Sequence, residues 1–214
     1  MAQTSQTTSP VPTRTTAAVT AIADPAPLGL AGFALTTLVL SVYNAGLIKT
    51  GSGTVLGLAL AYGGIAQLAA GMWEFVKGNT FGATAFASYG AFWLSFWYFV
   101  NHLPADTAGN DLAHGIGVYL LAWGIFTFYM FIASTRVSGA VAAVFILLAA
   151  TFIVLAIGAF TMNTADIAAA SYNTVYKVGG WLGLATAAVA WYASFAGVTN
   201  FTYKRTVVPT FPRE

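Results

Sequence analysis

Six long apolar stretches, each close to the length needed to cross a lipid bilayer, constrain this chain more than any other feature. They lie near residues 28–48, 54–76, 80–100, 114–133, 137–161 and 178–199. The only Asp, Glu, Lys or Arg within them is Glu74. Because hydrocarbon cannot satisfy backbone hydrogen bonds, and because the stretches lack the alternation of barrel strands, they must be helices. The sequence therefore predicts an all-α integral membrane protein with six transmembrane helices per subunit.

The basic residues predict the orientation of these helices, since Lys and Arg are enriched in cytoplasmic loops. With both termini inside the cell, the cytoplasmic side holds Arg14, Lys77, Arg136, Lys204, Arg205 and Arg213, and the outer side holds only Lys49 and Lys177. The expectation is a multi-pass protein of the cell (plasma or cytoplasmic) membrane with cytoplasmic termini. Residues 1–23 are expected to form a disordered tail, residues 24–200 the membrane domain, and residues 201–214 a short C-terminal tail.

Several classes of protein are disfavoured by what the chain lacks. It has no cysteine, and its two histidines, His102 and His114, have no carboxylate at metal-ligand spacing. The net charge of +2 comes from scattered residues and gives no basic face for nucleic acid. We therefore expect no metal, no cofactor, no nucleic-acid partner and no enzymatic activity.

The predicted spans carry neutral polar side chains where a pump would carry buried acids or histidines. The candidates for a polar path are Thr36, Thr37, Asn44, Gln67 and Ser88. A single Ser or Thr can instead bond to its own helix backbone, whereas the amides of Asn44 and Gln67 need more partners than one helix face supplies. Glu74 has two interpretations: a side chain paired with Lys77 one turn away, or a residue at the inner mouth of a path.

The stretch "DPAPLGLAGF" at residues 24–33 joins the polar tail to the first span. Asp24 is a good N-cap, and Pro25 and Pro27 suit the first turn of a helix, so the stretch can be a plain helix start. The N–H groups of Leu28, Gly29 and Leu30 are expected to be free, and glycines leave that turn uncovered. A small anion at the positive end of the helix dipole is therefore the second interpretation.

Three stretches together resemble the acetate uptake transporter family, the succinate-acetate permeases. They are "DPAPLGLAGF" at 24–33, "YGGIAQLAAGMWEFVKGNTFGATAFASYGAFWL" at 62–94 and "GVYLLAWGIFTFYMF" at 117–131. The resemblance implies six helices per subunit, a homo-hexamer with a path through each protomer, and passage of acetate and, in some members, succinate. One departure is Asp24, which stands where the family has Asn.

The resemblance also implies roles for particular residues. A narrow apolar constriction falls on Phe33, Tyr89 and Leu148, and Asn44 and Gln67 match polar positions of the motifs. Because the spans hold so few ionisable groups, we expect the proton to travel with the substrate, as acetic acid or as a paired acetate. The alternatives are a passive channel for acetate or for neutral solutes such as urea or ammonia, and a membrane sensor that transports nothing.

Overall fold

The computed structural model describes residues 22–102, 110–163, 165 and 171–213. In this part of the chain the helices are α1 Ala26–Asn44, α2 Thr54–Leu60, α3 Gln67–Lys77, α4 Thr80–Asn101, α5 Asp111–Ser134, α6 Gly139–Phe160 and α7 Thr174–Tyr203. A π-helical segment, Ala61–Ala66, joins α2 to α3 without a break. The all-α architecture predicted from sequence is confirmed. The tail predicted at residues 1–23 lies, apart from its last two residues, outside the described part.

Five of the described helices are long and apolar enough to cross a membrane, by length and composition. They are Ala26–Asn44, Thr54–Lys77, Asp111–Ser134, Gly139–Phe160 and Thr174–Tyr203. α4 has a sufficient length of 22 residues. It falls short in hydropathy because Thr, Ser, Gly, Tyr and Trp interrupt its apolar residues. The third predicted span, at residues 80–100, is thus present as a helix.

Several helix starts are fixed by side chains that accept hydrogen bonds from the first turn. Asn79 accepts from the Gly82 N–H at 3.1 Å and begins α4. Ser138 accepts from the Val141 N–H at 3.2 Å and begins α6. Asn173 accepts from the Tyr176 N–H at 2.8 Å, so α7 begins four residues before the apolar stretch predicted at 178. These caps supply partners for N–H groups that a helix start otherwise leaves open.

Glycines allow the helices to pack with their backbones in close approach. α1 packs along α7, α7 against α6, α6 against α5, and α3 against α4. A Cβ at Gly71 of α3 would lie 2.8 Å from the Cα of Ala87 in α4, and a Cβ at Gly90 of α4 would lie 2.7 Å from the Cα of Leu68. Small residues at these crossings are the usual means of helix association in a membrane.

The π-helical segment lies against α1 and α4 at mid-bundle. A Cβ at Gly63 would lie 2.6 Å from the Thr36 hydroxyl oxygen and 2.9 Å from a ring carbon of Trp93. The backbone of this segment therefore approaches both neighbouring helices closely. π-helical turns of this kind are frequent at functional sites.

The C-terminal segment is folded back onto the bundle. α7 extends to Tyr203, past the predicted start of the tail at 201. The Asn200 side chain accepts from the N–H groups of Val207 and Val208 at 2.7 and 2.9 Å and donates to the Val208 carbonyl at 2.8 Å. The N–H groups of Gly139 and Ala140 then donate to the carbonyls of Phe211 and Thr210. The segment after α7 thus supplies acceptors for the open first turn of α6.

Candidate functional site

The three residues matched to the family's constriction lie together in the core of the bundle. Phe33, Tyr89 and Leu148 have 4%, 3% and 4% of their surface exposed and belong to one cluster of buried apolar side chains. The ring centroids of Phe33 and Tyr89 are 5.7 Å apart, with the planes tilted by 55°. Phe145 of α6 lies 6.0 Å from Tyr89, centroid to centroid. Side chains of α1, α4 and α6 therefore meet at this level.

The Tyr89 ring is held in place by a hydrogen bond as well as by packing. Its hydroxyl lies 2.9 Å from the Thr127 hydroxyl of α5. Thr127 uses its single hydroxyl proton on the carbonyl of Trp123, at 2.7 Å. A hydroxyl has one proton to donate, so Tyr89 must be the donor and Thr127 the acceptor in the bond between them.

A cavity of about 290 Å³ begins at Phe33 and Leu148. It extends along α1, α4, α5 and α6 to the exposed loop at Ser52 and Gly53. α1 contributes Thr37, Ser41 and Asn44, which are spaced four and three residues apart and share one helix face. The cavity occupies the end of the bundle opposite to the start of α1 and the end of α7.

The residues that line this cavity carry no charge: no Asp, Glu, Lys, Arg or His is among the described residues of its wall. Two residues of the wall, Thr37 and Trp93, each have a fully buried polar atom (Oγ1 and Nε1) that has no hydrogen-bond partner in the described part of the chain. Buried donors without partners are costly and rare. The polar side chains that line this cavity are neutral, so hydrogen bonding without charge is the chemistry that they offer to a polar ligand.

Ser41 and Thr151 are among the wall residues that the sequence-based predictions did not include. Ser41 follows Thr37 by one helical turn, so the four-residue spacing in α1 indicates that the two side chains share one helix face. Thr151 of α6 lies in a helix without other polar groups nearby in sequence, and its hydroxyl meets that of Thr186 of α7 at 3.2 Å. No pattern in the sequence indicates that α6 and α7 meet at this point.

Three predicted path residues lie outside the cavity wall. Thr36 donates to the Gly32 carbonyl of its own helix at 2.9 Å. Gln67 is buried beside Gly32 of α1, and its Oε1 has no partner among the described residues. Ser88 lines a separate surface groove with Ala122, Trp123 and Phe126. The cavity wall therefore includes Thr37 and Asn44 of the predicted set.

The opening motif forms a helix start, but the N-cap of α1 is Pro25 and not the expected Asp24, because the helix begins at Ala26. The Asp24 carboxylate accepts from the Ala26 N–H at 3.0 Å and from the Lys77 ammonium at 2.8 Å. The expectation of a free Gly29 N–H is wrong, because that group donates to the Pro25 carbonyl at 3.1 Å. The expectation of an uncovered turn is wrong too, since a Cβ at Gly29 would lie 2.6 Å from the Phe86 ring. Leu28, in contrast, is exposed.

Other groups of the motif join α1 to α7. The carbonyl of Pro27 accepts from the Ser194 hydroxyl of α7 at 2.7 Å. A Cβ at Gly197 would lie 2.9 Å from the Pro27 ring. The motif thus fixes the start of α1 against both α3 and α7.

Glu74 is fully buried, with 0% of its surface exposed. The interpretation that pairs it with Lys77 is wrong, because the Lys77 ammonium binds Asp24. Glu74 Oε2 instead accepts from the side-chain amide of Asn79 at 2.8 Å. Its other oxygen, Oε1, has no hydrogen-bond partner among the described residues. Glu74 is not part of the cavity wall.

Comparison with known proteins identifies the family. Residues 6–213 match the sequence profile of the GPR1/FUN34/yaaH family. The chain belongs to this family. The resemblance drawn from the three motifs is therefore confirmed, and the chain is a multi-pass membrane protein of a family that includes transporters and channels.

Named relatives show what members of the GPR1/FUN34/yaaH family do. The chain is 40% identical over 190 residues to the succinate-acetate/proton symporter SatP of Escherichia coli strain K12, covering 89% of this chain and 96% of that one. It is 42% identical over 187 residues to ammonia transport outward protein 2 of Saccharomyces cerevisiae, with 83% of this chain covered. The chain spans only 62% of that yeast protein's length.

A solved structure of a member of the same family has the same fold. The bacterial acetate channel SatP superposes with a TM-score of 0.76 at 40% sequence identity. The superposition covers 89% of this chain and 99% of the channel. The fold described above is thus the fold of a family member named as an acetate channel.

Proposed function

We propose that this protein transports acetate and related small carboxylates, including succinate, across the cell membrane, coupled to protons, along a path within each protomer. The path starts in the uncharged cavity and crosses the constriction of Phe33, Tyr89 and Leu148. We further propose six membrane-spanning helices, including α4, with both termini in the cytoplasm, and a homo-hexameric assembly in the bilayer. With this orientation the cavity opens to the outside of the cell.

The observation that carries the proposal is an uncharged cavity that ends at a buried apolar constriction. A carboxylate that leaves water must replace its hydration with hydrogen-bond donors. Thr37, Asn44 and Trp93, which are among the residues lining the cavity, carry neutral donor groups. Because these donors are neutral, they can hold a small anion without trapping it by charge pairing. An apolar constriction below them then restricts passage to small substrates.

Asp24, the departure from the family motif, is compatible with an anion path. Its carboxylate binds Lys77 at the surface, at the end of the bundle opposite to the cavity. The two opposite charges offset each other, and the acid faces solvent. An acid at this position therefore does not line the cavity from which the anion starts.

Ammonia is the second candidate substrate, supported by the name of the yeast relative and by the uncharged cavity. Methylammonium serves as a labelled probe for it. Acetate competes with labelled propionate if the path takes carboxylates, whereas it leaves methylammonium flux unchanged if the path takes ammonia.

The test is uptake of labelled acetate into proteoliposomes, comparing wild type with Phe33→Ala. The ring of Phe33 is one side of the constriction, so its removal is expected to raise acetate flux and to admit larger acids such as lactate. Gly57→Ala is the matched control, since nothing lies within 4 Å of a Cβ at that position. If wild type shows no acetate uptake above that of empty liposomes, the proposed function is wrong.

A further inference from the structure

Glu74 is a buried acid whose two oxygens have different surroundings. Oε2 accepts a hydrogen bond from Asn79, and Oε1 has no partner among the described residues. The carboxyl carbon packs against the first turn of α4, where a Cβ at Gly82 would lie 2.7 Å from it. A buried carboxylate of this kind is costly when ionised, because one oxygen lacks the donors that water would provide.

Few charged groups act on Glu74. On its own helix the nearest is Lys77, whose ammonium is bound to Asp24 at the start of α1 at 2.8 Å. α4 presents Gly82 and its amino-terminal end, which carries a partial positive charge, and the Asn79 side chain lies between that end and Glu74. Among the described residues, the groups around Glu74 are thus the Lys77 ammonium, which is already paired with the Asp24 carboxylate, and the neutral side-chain amide of Asn79. No cation is bonded to Glu74 within the described residues.

Glu74 lies in line with the constriction. Gly82, Phe86, Tyr89 and Trp93 are spaced four, three and four residues apart, so they share one face of α4. Trp93 lines the cavity, Tyr89 forms the constriction, and Gly82 packs on Glu74. Gly82 and Tyr89 are two turns apart, a rise of about 10 Å. Glu74 therefore lies on the far side of the constriction from the cavity.

We propose that Glu74 is the group that binds and releases the coupled proton, an inference that rests on the proposed function. The proton arrives with acetate from the outer cavity, adds to a lone pair of Oε1 and forms an O–H bond, while Oε2 keeps its hydrogen bond from Asn79. In the protonated state the carboxyl group is neutral and an acetate anion crosses the constriction without facing a negative charge. Release of the proton to water on the cytoplasmic side breaks the O–H bond and restores the charge, which repels acetate along the same line. The sequence led us to expect that the proton travels bound to acetate. In this proposal the proton is instead carried by the Glu74 side chain.

The test is acetate uptake by Glu74→Gln proteoliposomes, driven either by an inward proton gradient or by an imposed membrane potential. One proton with one acetate moves no net charge, so wild type is expected to respond to the proton gradient and not to the potential. The glutamine is permanently neutral and carries no exchangeable carboxyl proton. We expect this variant to lose gradient-driven accumulation down to the level of empty liposomes and to become sensitive to the potential. Asp111→Asn, at an exposed acid at the start of α5, is the matched control and is expected to behave as wild type.

Several outcomes contradict the proposal. Gradient-driven accumulation by Glu74→Gln at the wild-type level shows that another group carries the proton. Wild-type uptake that follows the potential and ignores the proton gradient removes proton coupling but leaves acetate transport in place. Absence of wild-type uptake overturns the proposed function itself.

A second variant keeps the proposal testable if Glu74→Gln does not fold. Asn79→Ala removes the donor that stabilises the ionised carboxylate, so the pH at which uptake is half-maximal is expected to rise. An unchanged pH of half-maximal uptake in this variant contradicts the proposal.

Discussion

Replacing Tyr89 with Phe tests whether the proposed constriction is held closed by one hydrogen bond. The substitution keeps the ring and its contacts with Phe33, Trp123, Phe126 and Phe145, whose centroids lie 5.5–6.0 Å away. It removes only the donation from the Tyr89 hydroxyl to Thr127 at 2.9 Å. Thr127 keeps its own donation to the Trp123 carbonyl, so no buried donor is left without a partner.

The magnitude follows from what the ring must break in order to swing away from Phe33. A buried neutral hydrogen bond contributes about 1 kcal/mol. If the bond exists only in the closed arrangement of the ring, its loss favours the open arrangement by about 1 kcal/mol. The ratio of open to closed molecules then rises about fivefold. We expect the initial rate of acetate uptake into proteoliposomes to rise by about that factor. Selectivity between acetate and larger acids is expected to remain, because the ring is still present.

Thr127→Val provides the matched control for this experiment. It removes the acceptor of the same hydrogen bond and leaves the Tyr89 ring unchanged, so it is expected to raise uptake to a similar extent. The double variant is expected to be no faster than either single variant, because all three lose the bond between Tyr89 and Thr127. A Tyr89→Phe protein whose uptake equals or falls below that of wild type refutes the reasoning. A double variant with additive effects does so as well.

Three further predictions concern packing and the ends of the bundle. In Gly71→Leu the new side chain must push α3 away from the backbone of α4. We expect the free energy of unfolding, measured by thermal unfolding in detergent, to fall by about 1–3 kcal/mol. Gly57→Ala has open space around its new Cβ, so this control is expected to leave the free energy of unfolding unchanged. Asn200→Ala removes three hydrogen bonds to the C-terminal segment and is expected to speed amide hydrogen exchange at the start of α6, with exchange at the start of α4 unchanged. Lys77→Ala breaks the exposed ion pair with Asp24. We expect it to lower the free energy of unfolding, in the same thermal unfolding assay, by less than about 1 kcal/mol. A larger decrease would show that solvent does not screen the pair.

The sequence predicted the helices well because membrane spans must be long and apolar. Their ends were less predictable, since polar residues decide them. α1 stops at Asn44, short of the predicted 48, where Gly46 adopts a positive φ of 74°. α7 extends past the predicted apolar stretch at both ends. Asn173 caps its start, and the residues of its last turn are too polar to be recognised by hydropathy. The π-helical turn at Ala61–Ala66 was not predicted, because hydropathy does not record backbone spacing.

The candidate site was predictable where the family motif fixed it and less so elsewhere. Phe33, Tyr89 and Leu148 come together as the resemblance implied, although they lie on three different helices. Thr36 faces its own backbone one residue away from Thr37, which lines the cavity. Hydropathy alone does not give the rotation of a nearly uniformly apolar helix. Which of two adjacent threonines faces the cavity therefore depends on packing.

The close packing of α1 against α7 has a consequence for biosynthesis. A Cβ at Gly180 of α7 would lie 2.6 Å from the Cα of Ala45, and Gly183 abuts the Ser41 side chain. The ribosome makes α1 long before α7. The surface of α1 that packs against α7 therefore lacks this contact while the intervening chain is made. During that interval the face of α1 around Ser41 and Ala45 lacks the helix that packs against it in the complete protein. A chain that stops before α7 is therefore expected to leave this face of α1 without its partner helix.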